Sequence, residues 1–321
     1  MSFPNVSDLI ATSIEERCGE IADSVRNNNA ILAVLSKKGK VHPFDGGRLI
    51  YEEISYAENG NGDWYSGYDV LTVGAQEVIS AAEFEIKQYA VPVIVSGLEL
   101  IQNSGKNQII DLVAGRIAVG EATMANDISV GMYSDGTGSN GKQIVGLDAA
   151  VPANPATGTY GGINRATAAN AFWKSIVKTE ATTLANVQTQ MNTVWGQVVR
   201  GTDHPDVILM GNTFWGFWMG SLQNIQRFTN PDMAKLGFET QRFMQADVFL
   251  DGGVGGAATA TNCYMLNTKY LHFRPVRGKD MVALNPGKRS AFNQDAEASI
   301  LGWAGAFTCS GGRYHARITG A

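Results

Sequence analysis

The stretch KNQIIDLVAGRIAVGEATMANDISVGM, residues 106–132, predicts one long amphipathic α-helix. One face carries the apolar or small residues Ile109, Leu112, Val113, Ile117, Gly120, Met124, Ala125 and Ile128. Off that face lie Asp111, Arg116, Glu121 and Asp127. At about 1.5 Å per residue such a helix spans roughly 35 to 40 Å, more than the core of a compact domain requires. We therefore expect a spine helix with a long hairpin before it and a globular lobe after it.

The composition limits the class of protein. The chain has 321 residues, enough for one large or two ordinary domains, and 17% of them are charged. That fraction is below the roughly 25% of an average soluble protein, which fits either a surface covered by neighbouring subunits or a weakly charged, glycine-rich monomer. The net charge of −5 argues against direct nucleic-acid binding as the main role, although a protein that encloses DNA remains possible.

Cysteine usage and the N-terminal sequence indicate a cytoplasmic setting. Cys18, Cys263 and Cys309 are odd in number and widely separated, so neither a disulfide framework nor a paired-cysteine metal site is expected. The first residues, MSFPNVSDLI, lack a basic stretch followed by an apolar run, and no segment approaches about 18 consecutive apolar residues. We expect a chain that is neither exported nor membrane-spanning.

The region before the hairpin predicts interrupted helical structure. Ser7 is a candidate N-cap, and apolar residues recur up to Leu35 with an interruption at 27–29. The basic cluster Lys37, Lys38 and Lys40 then indicates either a solvated loop or an arm that lies over a neighbouring subunit or along the inner wall of an assembly.

Residues 48–87 predict an acidic β-hairpin. RLIYEEISY (48–56) leads to two Asn-Gly pairs at 59–62, the return is predicted through YDVLTV (68–73), and residues 82–87 alternate apolar and charged. Eight acidic residues and no Lys or Arg lie between Leu49 and Ile86. Because a long isolated hairpin is marginal in water, it needs support, either from its own subunit or from a basic strip on an adjacent one. That strip is predicted at Arg274, Arg277, Lys279, Lys288 and Arg289.

The residues predicted to make inter-subunit contacts come from the hairpin and from this strip. They are Glu52, Glu53, Asp63, Trp64, Tyr65, Glu83, Glu85, Arg274, Arg277 and Lys279.

The lobe after the spine predicts alternating helices and strands. Helices are expected at 184–199 and 214–228, the second capped by Asn212 or Thr213. Strands are expected at 207–210, 246–250, 263–267 and 270–273, followed by 298–307 and 314–318 as returning strands beside the spine helix.

Two glycine motifs imitate nucleotide-binding loops. Gly136, Gly141 and Lys142 have the spacing of a phosphate-binding loop, but Gln143 lacks the hydroxyl that would bind magnesium, and the motif follows a helix instead of a strand. Gly253, Gly255 and Ala258 imitate a dinucleotide fingerprint, yet the sequence that follows predicts a strand. We interpret both as ordinary loops.

No catalytic constellation is apparent, so no catalytic, cofactor or metal site is predicted. His42, His204, His272 and His315 lack metal-binding spacing, and no nucleophile-elbow motif occurs.

Short segments distributed along the chain resemble, in their order and spacing, the major capsid proteins of tailed double-stranded-DNA bacteriophages. They are DGTG (135–138), IVGL (144–147), TYGGINR (159–165, with Asn164 where Asp is common), KKG (37–39), GG (46–47), YSGYD (65–69), and Ala82, Phe84, Lys87, Gln88, Ser96 and Gly97. The resemblance covers nearly everything after about residue 37.

The resemblance implies an α+β fold of the Hong Kong 97 type. The parts would be an N-terminal arm (1–47), an extended-loop hairpin (48–95), a peripheral domain with the spine helix (96–141), an axial domain (142–289) and C-terminal strands that return to the peripheral domain (290–321). The implied function is structural: hexamers and pentamers that close an icosahedral shell, the virion capsid, around non-specifically packaged double-stranded DNA. Assembly would take place in the host cytoplasm, without enzymatic activity, cofactors or membrane.

The resemblance also implies partners and leaves alternatives. A portal protein is expected, and a separate scaffolding protein is expected because no helical N-terminal extension precedes the arm. An uncleaved N-terminus is expected for the same reason. Whether a decoration or cement protein also binds is left open. Because residues 49–86 contain no lysine, no isopeptide cross-link from that part of the loop is expected. The alternatives are an encapsulin-type compartment shell on the same fold and a nucleotide-binding enzyme that uses the Gly136 loop.

Overall fold

The computed structural model describes residues 29–96, 98–99, 112–222, 240–252, 257–284 and 296–320. Its helices are α1 (Ala30–Lys37), α2 (Leu112–Met132), α3 (Gly138–Gly141), α4 (Leu147–Ala150), α5 (Val187–Val198) and α6 (Asn212–Ser221), with 3₁₀ turns at Ala168–Trp173, Thr268–Tyr270 and Gly312–Tyr314. Its strands are β1 (Leu49–Ser55), β2 (Ile79–Glu85), β3 (Lys87–Ser96), β4 (Thr159–Tyr160), β5 (Ile163–Asn164), β6 (Ile176–Thr179), β7 (Val207–Met210), β8 (Thr240–Phe243), β9 (Ala246–Leu250), β10 (Asn262–Leu266), β11 (Leu271–Pro275), β12 (Val282–Ala283), β13 (Ala296–Cys309) and β14 (Ala316–Thr319).

Several predicted features lie outside the described residues. They are Ser7, Cys18, the predicted start of the spine helix at 106–111, the end of the predicted helix at 223–228, Gly253, Gly255, Lys288 and Arg289.

The spine helix is α2, and its predicted buried face is confirmed where side chains are described. Ile117, Met124 and Ile128 are each less than 5% exposed. The helix approaches β3 closely at Gly120, where a Cβ atom would lie 3.3 Å from Val93 Cγ2. The absence of a side chain at Gly120 therefore lets the helix rest directly on the strand.

A four-stranded antiparallel sheet supports the spine helix. Its central strand is β13, which pairs with β3 along residues 296–305 and with β12 and β11 on its other side. Side chains from this sheet, the spine helix, α1 and the root of the hairpin form one core. β3 thus belongs to the sheet and not to the hairpin ladder, which ends at Glu85.

The lobe is built on a six-stranded mixed sheet in the order β6-β14-β10-β7-β9-β8. Helices α5 and α6 pack with this sheet around a second core. The predicted strands 207–210 and 246–250 match β7 and β9. The expectation that the last strand lies beside the spine helix is wrong, because β14 pairs with β10 and β6. Its Ala316 and Ile318 side chains are buried in the lobe's own core.

The cap predicted for α6 is also wrong. The N-cap residue is Gly211, and no side chain caps the helix. A Cβ atom at Gly211 would lie 2.1 Å from the Thr259 carbonyl oxygen. The helix therefore begins directly after β7, at a position where only glycine fits.

The basic cluster near the N-terminal helix packs within its own subunit. Lys38 Nζ lies 2.5 Å from Asp206 Oδ2, and Asn29 caps α1 by accepting from the Leu32 N–H at 3.2 Å. Beyond the helix, the His42 N–H donates to the Phe273 carbonyl at 2.9 Å, so this segment runs along β11. Lys37 and His42 are nevertheless exposed, so the segment is partly solvated. An arm that lies over a neighbouring subunit or along the inner wall of an assembly stays a prediction.

Two glycines of α2 give a matched stability test. At Gly115 an added Cβ would meet nothing within 4 Å, whereas at Gly131 it would lie 2.6 Å from Ile144 Cγ2. We expect Gly115→Ala to stabilise the fold by about 0.5 to 1 kcal/mol through helix propensity. Gly131→Ala should destabilise it by about 1 to 2 kcal/mol, because overpacking outweighs that gain. Urea unfolding of both variants checks this, and a stabilising Gly131→Ala would contradict the packing described.

Candidate functional site

The hairpin joins the rest of the chain through one face of its root. β1 and β2 pair antiparallel from Leu49 opposite Glu85 to Ser55 opposite Ile79. Along β1 the residues Ile50, Glu52 and Ile54 are buried, while the residues between them point to solvent. Since side chains alternate in a strand, a carboxylate is carried into the interior together with two isoleucines.

The buried Glu52 is held by partners from two other strands. Arg274 on β11 donates from Nε to Oε1 at 2.6 Å and from Nη2 to Oε2 at 3.0 Å. Thr308 on β13 donates its hydroxyl to Oε1 at 2.7 Å. Glu52 is only 6% exposed, so its charge requires this bidentate partner.

For Glu52 and Arg274 the predicted inter-subunit contact is therefore corrected. The two residues satisfy each other within one chain, because strand alternation turns both side chains inward. The own-subunit alternative is the correct one for the root of the hairpin.

The other predicted contact residues of the root and the strip are more accessible. Glu53 and Glu83 are exposed, as is Lys279. Arg277 Nη1 lies 3.0 Å from Asp45 Oδ1 in a pair that is more than two-thirds exposed. Lys87 Nζ donates to Glu85 Oε2 at 2.8 Å, and this hydrogen bond and positive charge lower the pKa of the Glu85 carboxyl. An inter-subunit role for these residues stays a prediction.

The TYGGINR segment (159–165) contacts the second strand of the hairpin, β2. The Glu83 N–H donates to the Gly161 carbonyl at 3.0 Å. Gly161 has φ +58°, and a Cβ atom there would lie 2.9 Å from Ala82 Cβ, so the segment and β2 are in close contact. The Trp173 indole N–H donates to the Tyr160 carbonyl at 2.9 Å and fixes the position of the segment.

Arg165, at the end of the same segment, is buried, and no role was predicted for it. Its Nη2 donates to the carbonyls of Ala149 and Ala150 at 2.9 and 2.8 Å, at the end of α4. Its guanidinium also lies 4.9 Å from the centre of the Tyr160 ring. The motif thus couples the lobe to the hairpin.

Beyond the root, the hairpin ends in a region that we call the hairpin tip, residues 59–74. The predicted return strand through 68–73 is wrong, since these residues form no strand. Turns at Asn59–Gly62 and Ser66–Asp69 bend the chain, and the Asn61 side-chain amide donates to the Gly74 carbonyl at 2.6 Å. The two limbs are therefore joined by side-chain contacts instead of a ladder.

The hairpin tip exposes large apolar side chains. Trp64 and Tyr68 are fully exposed, and Val70 and Val73 are each more than 90% exposed. The tip also contains Asp63 and Asp69 and neither Lys nor Arg. Contiguous apolar exposure of this kind is typical of a surface that another molecule covers. The tip is the candidate functional site, and its residues Asp63, Trp64 and Tyr65 are among the predicted contacts.

The alternatives to a contact surface are the described histidines and the Gly136 loop. They contain no group of three or more His, Cys, Asp or Glu side chains arranged to hold a metal ion. His315 is fully buried, accepts a hydrogen bond from the Asn267 N–H, and has its pKa lowered to about 4 by burial. The Gly136 loop follows α2 directly and contains Ser139 and Asn140 at positive φ. In the part of the chain described, no helix combines the length and apolar character that crossing a bilayer requires.

Comparison with known proteins gives matches at the level of structure. The chain aligns with one from the cyanophage A-1(L) capsid asymmetric unit at a TM-score of 0.61 and 19% identity, over 88% of this chain and 90% of that one. A chain from the capsid of a native GTA particle aligns at 0.56 and 10% identity, over 89% and 90%. One from the capsid of Myoviridae phage XM1 aligns at 0.50 and 16% identity, over 89% and 92%. No protein-family model and no curated protein sequence matches.

These matches span nearly the full length of each chain, so they concern the whole architecture and not a shared piece. They show that the chain has the capsid fold of the Hong Kong 97 type, and the predicted fold class is confirmed.

The Glu52–Arg274 pair makes a prediction about the stability of the hairpin root. Glu52→Gln leaves a partly buried guanidinium without a charged partner, and we expect a loss of about 3 kcal/mol in unfolding free energy. The matched control is Asp45→Asn, which breaks the exposed pair with Arg277 and should cost less than about 1 kcal/mol. Chemical denaturation of the two variants measures the contrast. Equal losses would mean that the buried pair does not hold the root.

Proposed function

We propose that the chain is a major capsid protein, a structural protein whose copies form the hexamers and pentamers of an icosahedral phage head around double-stranded DNA. The observation that carries the proposal is the capsid fold together with a hairpin tip that its own subunit leaves uncovered. The virion is the corresponding location.

The physical basis of assembly is burial of the tip, repeated by symmetry. Six of the large apolar side chains described as exposed lie in the tip, from Trp64 to Val73. A monomer keeps them in water, whereas a second copy can bury them at roughly 25 cal/mol per Å² of apolar surface. In a closed ring every subunit both gives and receives one tip, so a modest gain per contact is multiplied over the shell.

The two parts of the hairpin have different roles in this proposal. The root, fixed by Glu52 and Gly161, sets the direction in which the tip projects. The tip, with few internal contacts, adjusts to the neighbouring subunit. Such adjustment is useful because identical chains in hexamers and pentamers meet at slightly different angles.

The partners proposed follow from the same role. The main partner is the chain itself, and a portal protein, a separate scaffolding protein, a decoration or cement protein and the packaged DNA are proposed beside it. No enzymatic activity or cofactor is part of the proposal.

Electron microscopy of purified particles, with nuclease-protected DNA assayed on the same sample, tests the function. Closed icosahedral particles that protect DNA support the proposal. Closed particles with a protein cargo and no DNA would favour an encapsulin-type compartment, and nucleotide binding by a monomer that does not assemble would favour the enzyme alternative.

Removing the apolar character of the tip should block assembly without unfolding the subunit. We expect Trp64→Ser/Tyr68→Ser to lower particle yield by at least about tenfold, because hot-spot aromatic residues dominate the energy of an interface. The thermal midpoint should stay within about 2 °C of the wild-type value, since both side chains are fully exposed. The matched control is Val119→Ser/Leu184→Ser, which removes exposed apolar residues elsewhere. A normal particle yield from the tip variant would refute the proposed contact.

A further inference from the structure

A groove lies where the root of the hairpin meets the turn between β13 and β14. It consists of two adjacent cavities of about 370 and 350 Å³ that share Arg200, Arg313 and Tyr314 as walls. Neither arginine was singled out by the sequence, since they are far apart along the chain and outside the predicted basic strip.

The groove carries positive charge that is available to a partner. Arg200 and Arg313 are both exposed, and among the described residues neither forms an ion pair. Arg200 Nη1 donates to the Tyr314 hydroxyl at 3.1 Å, which orients the guanidinium. The one carboxylate that lines the groove is Glu58, also exposed, so the walls keep a net positive charge.

Aromatic rings form another part of the walls. Tyr56 stacks on Phe172 with ring centres 5.0 Å apart, and Tyr314 stacks on Tyr270 at 4.1 Å. Trp173 is completely buried behind them. Arginine beside aromatic rings suits a partner that combines carboxylates with apolar or aromatic side chains.

The hairpin tip has this composition. Asp63 and Asp69 flank Trp64, Tyr65 and Tyr68, and the tip contains no basic residue. None of its residues lines the groove in its own chain, so the tip that could fill the groove belongs to another copy.

We propose that the groove between Arg200 and Arg313 receives the hairpin tip of a second copy of this chain. The proposal rests on the proposed function and specifies its central contact. The proposed partner of the tip differs from Arg274, which is already bound to Glu52 within the subunit, whereas Arg200 and Arg313 form no ion pair among the described residues and can bind Asp63 or Asp69.

Charge exchange on the full chain tests the contact. Arg313→Glu places a carboxylate opposite the acidic tip, and we expect particle yield to fall by at least about tenfold, as for like charges opposed across an interface. Asp63→Lys alone should show a similar loss. The combination Arg313→Glu/Asp63→Lys should recover yield to within about threefold of wild type, because the pair is restored with reversed sign.

Lys142→Glu, an exposed charge reversal outside the groove, is the matched control and should assemble normally. Circular dichroism of each variant verifies that the subunit is folded. Normal yield from folded Arg313→Glu, or failure of the combined variant to recover, would overturn the proposal. Normal particles with reduced nuclease-protected DNA would also overturn it and assign the groove to a polyanion. Failure of the wild-type chain to assemble would count against the proposed function instead.

Discussion

A single buried ion pair determines where the hairpin projects. β1 carries Glu52 on the same face as Ile50 and Ile54, so folding moves a carboxylate out of water. Desolvation of a charge is costly, and only a partner with matching geometry compensates for it. Arg274 supplies two parallel donors and Thr308 a third. The pair and Thr308 thus join strands β1, β11 and β13, and a one-residue register shift of β1 would turn the carboxylate outward and an exposed residue inward.

The rest of the structure supports the contact of Glu52 with Arg274 and Thr308 from two sides. On one side, β13 is shared by β3, β11 and β12, and the spine helix rests on β3 at Gly120. On the other, the TYGGINR segment binds β2 through Gly161 and binds the end of α4 through Arg165. The hairpin root is therefore held by the four-stranded sheet on one side and by the TYGGINR segment on the other, and its direction is fixed. Directional presentation is what an assembly built from identical copies requires.

Local periodicity predicted much of this fold. The helical face of 117–128 and the strands at β7 and β9 could be identified from spacing alone, because each buries one continuous stripe or run. The alternation of residues along β1 also predicts that Glu52, which lies between Ile50 and Ile54, faces inward, although Glu52 was predicted to contact another subunit. Clustering of Arg274 with Arg277 suggested a common surface, whereas Arg274 points inward from β11 and Arg277 is exposed in the turn that follows it.

Other features were not accessible from the sequence. The sequence of β14 predicts only a short strand, and the order of the six-stranded sheet shows that it belongs to the lobe. The groove depends on Arg200 and Arg313, which the fold brings together across more than a hundred residues. The identity of a helix cap such as Gly211 depends on a carbonyl from a distant segment. Each is a consequence of tertiary packing.

The positions of the Glu52 partners in the sequence also determine when the hairpin root can form during synthesis. Thr308 follows Glu52 by 256 residues, and Arg274 follows it by 222. At ~5–20 residues per second, the ribosome needs roughly 10 to 50 s to synthesise the chain from Glu52 to Thr308. Until then β1 and β2 lack the strands β11 and β13, which carry Arg274 and Thr308, and the hairpin root cannot be held in its final position. The hairpin root is therefore completed only after β13 has been synthesised.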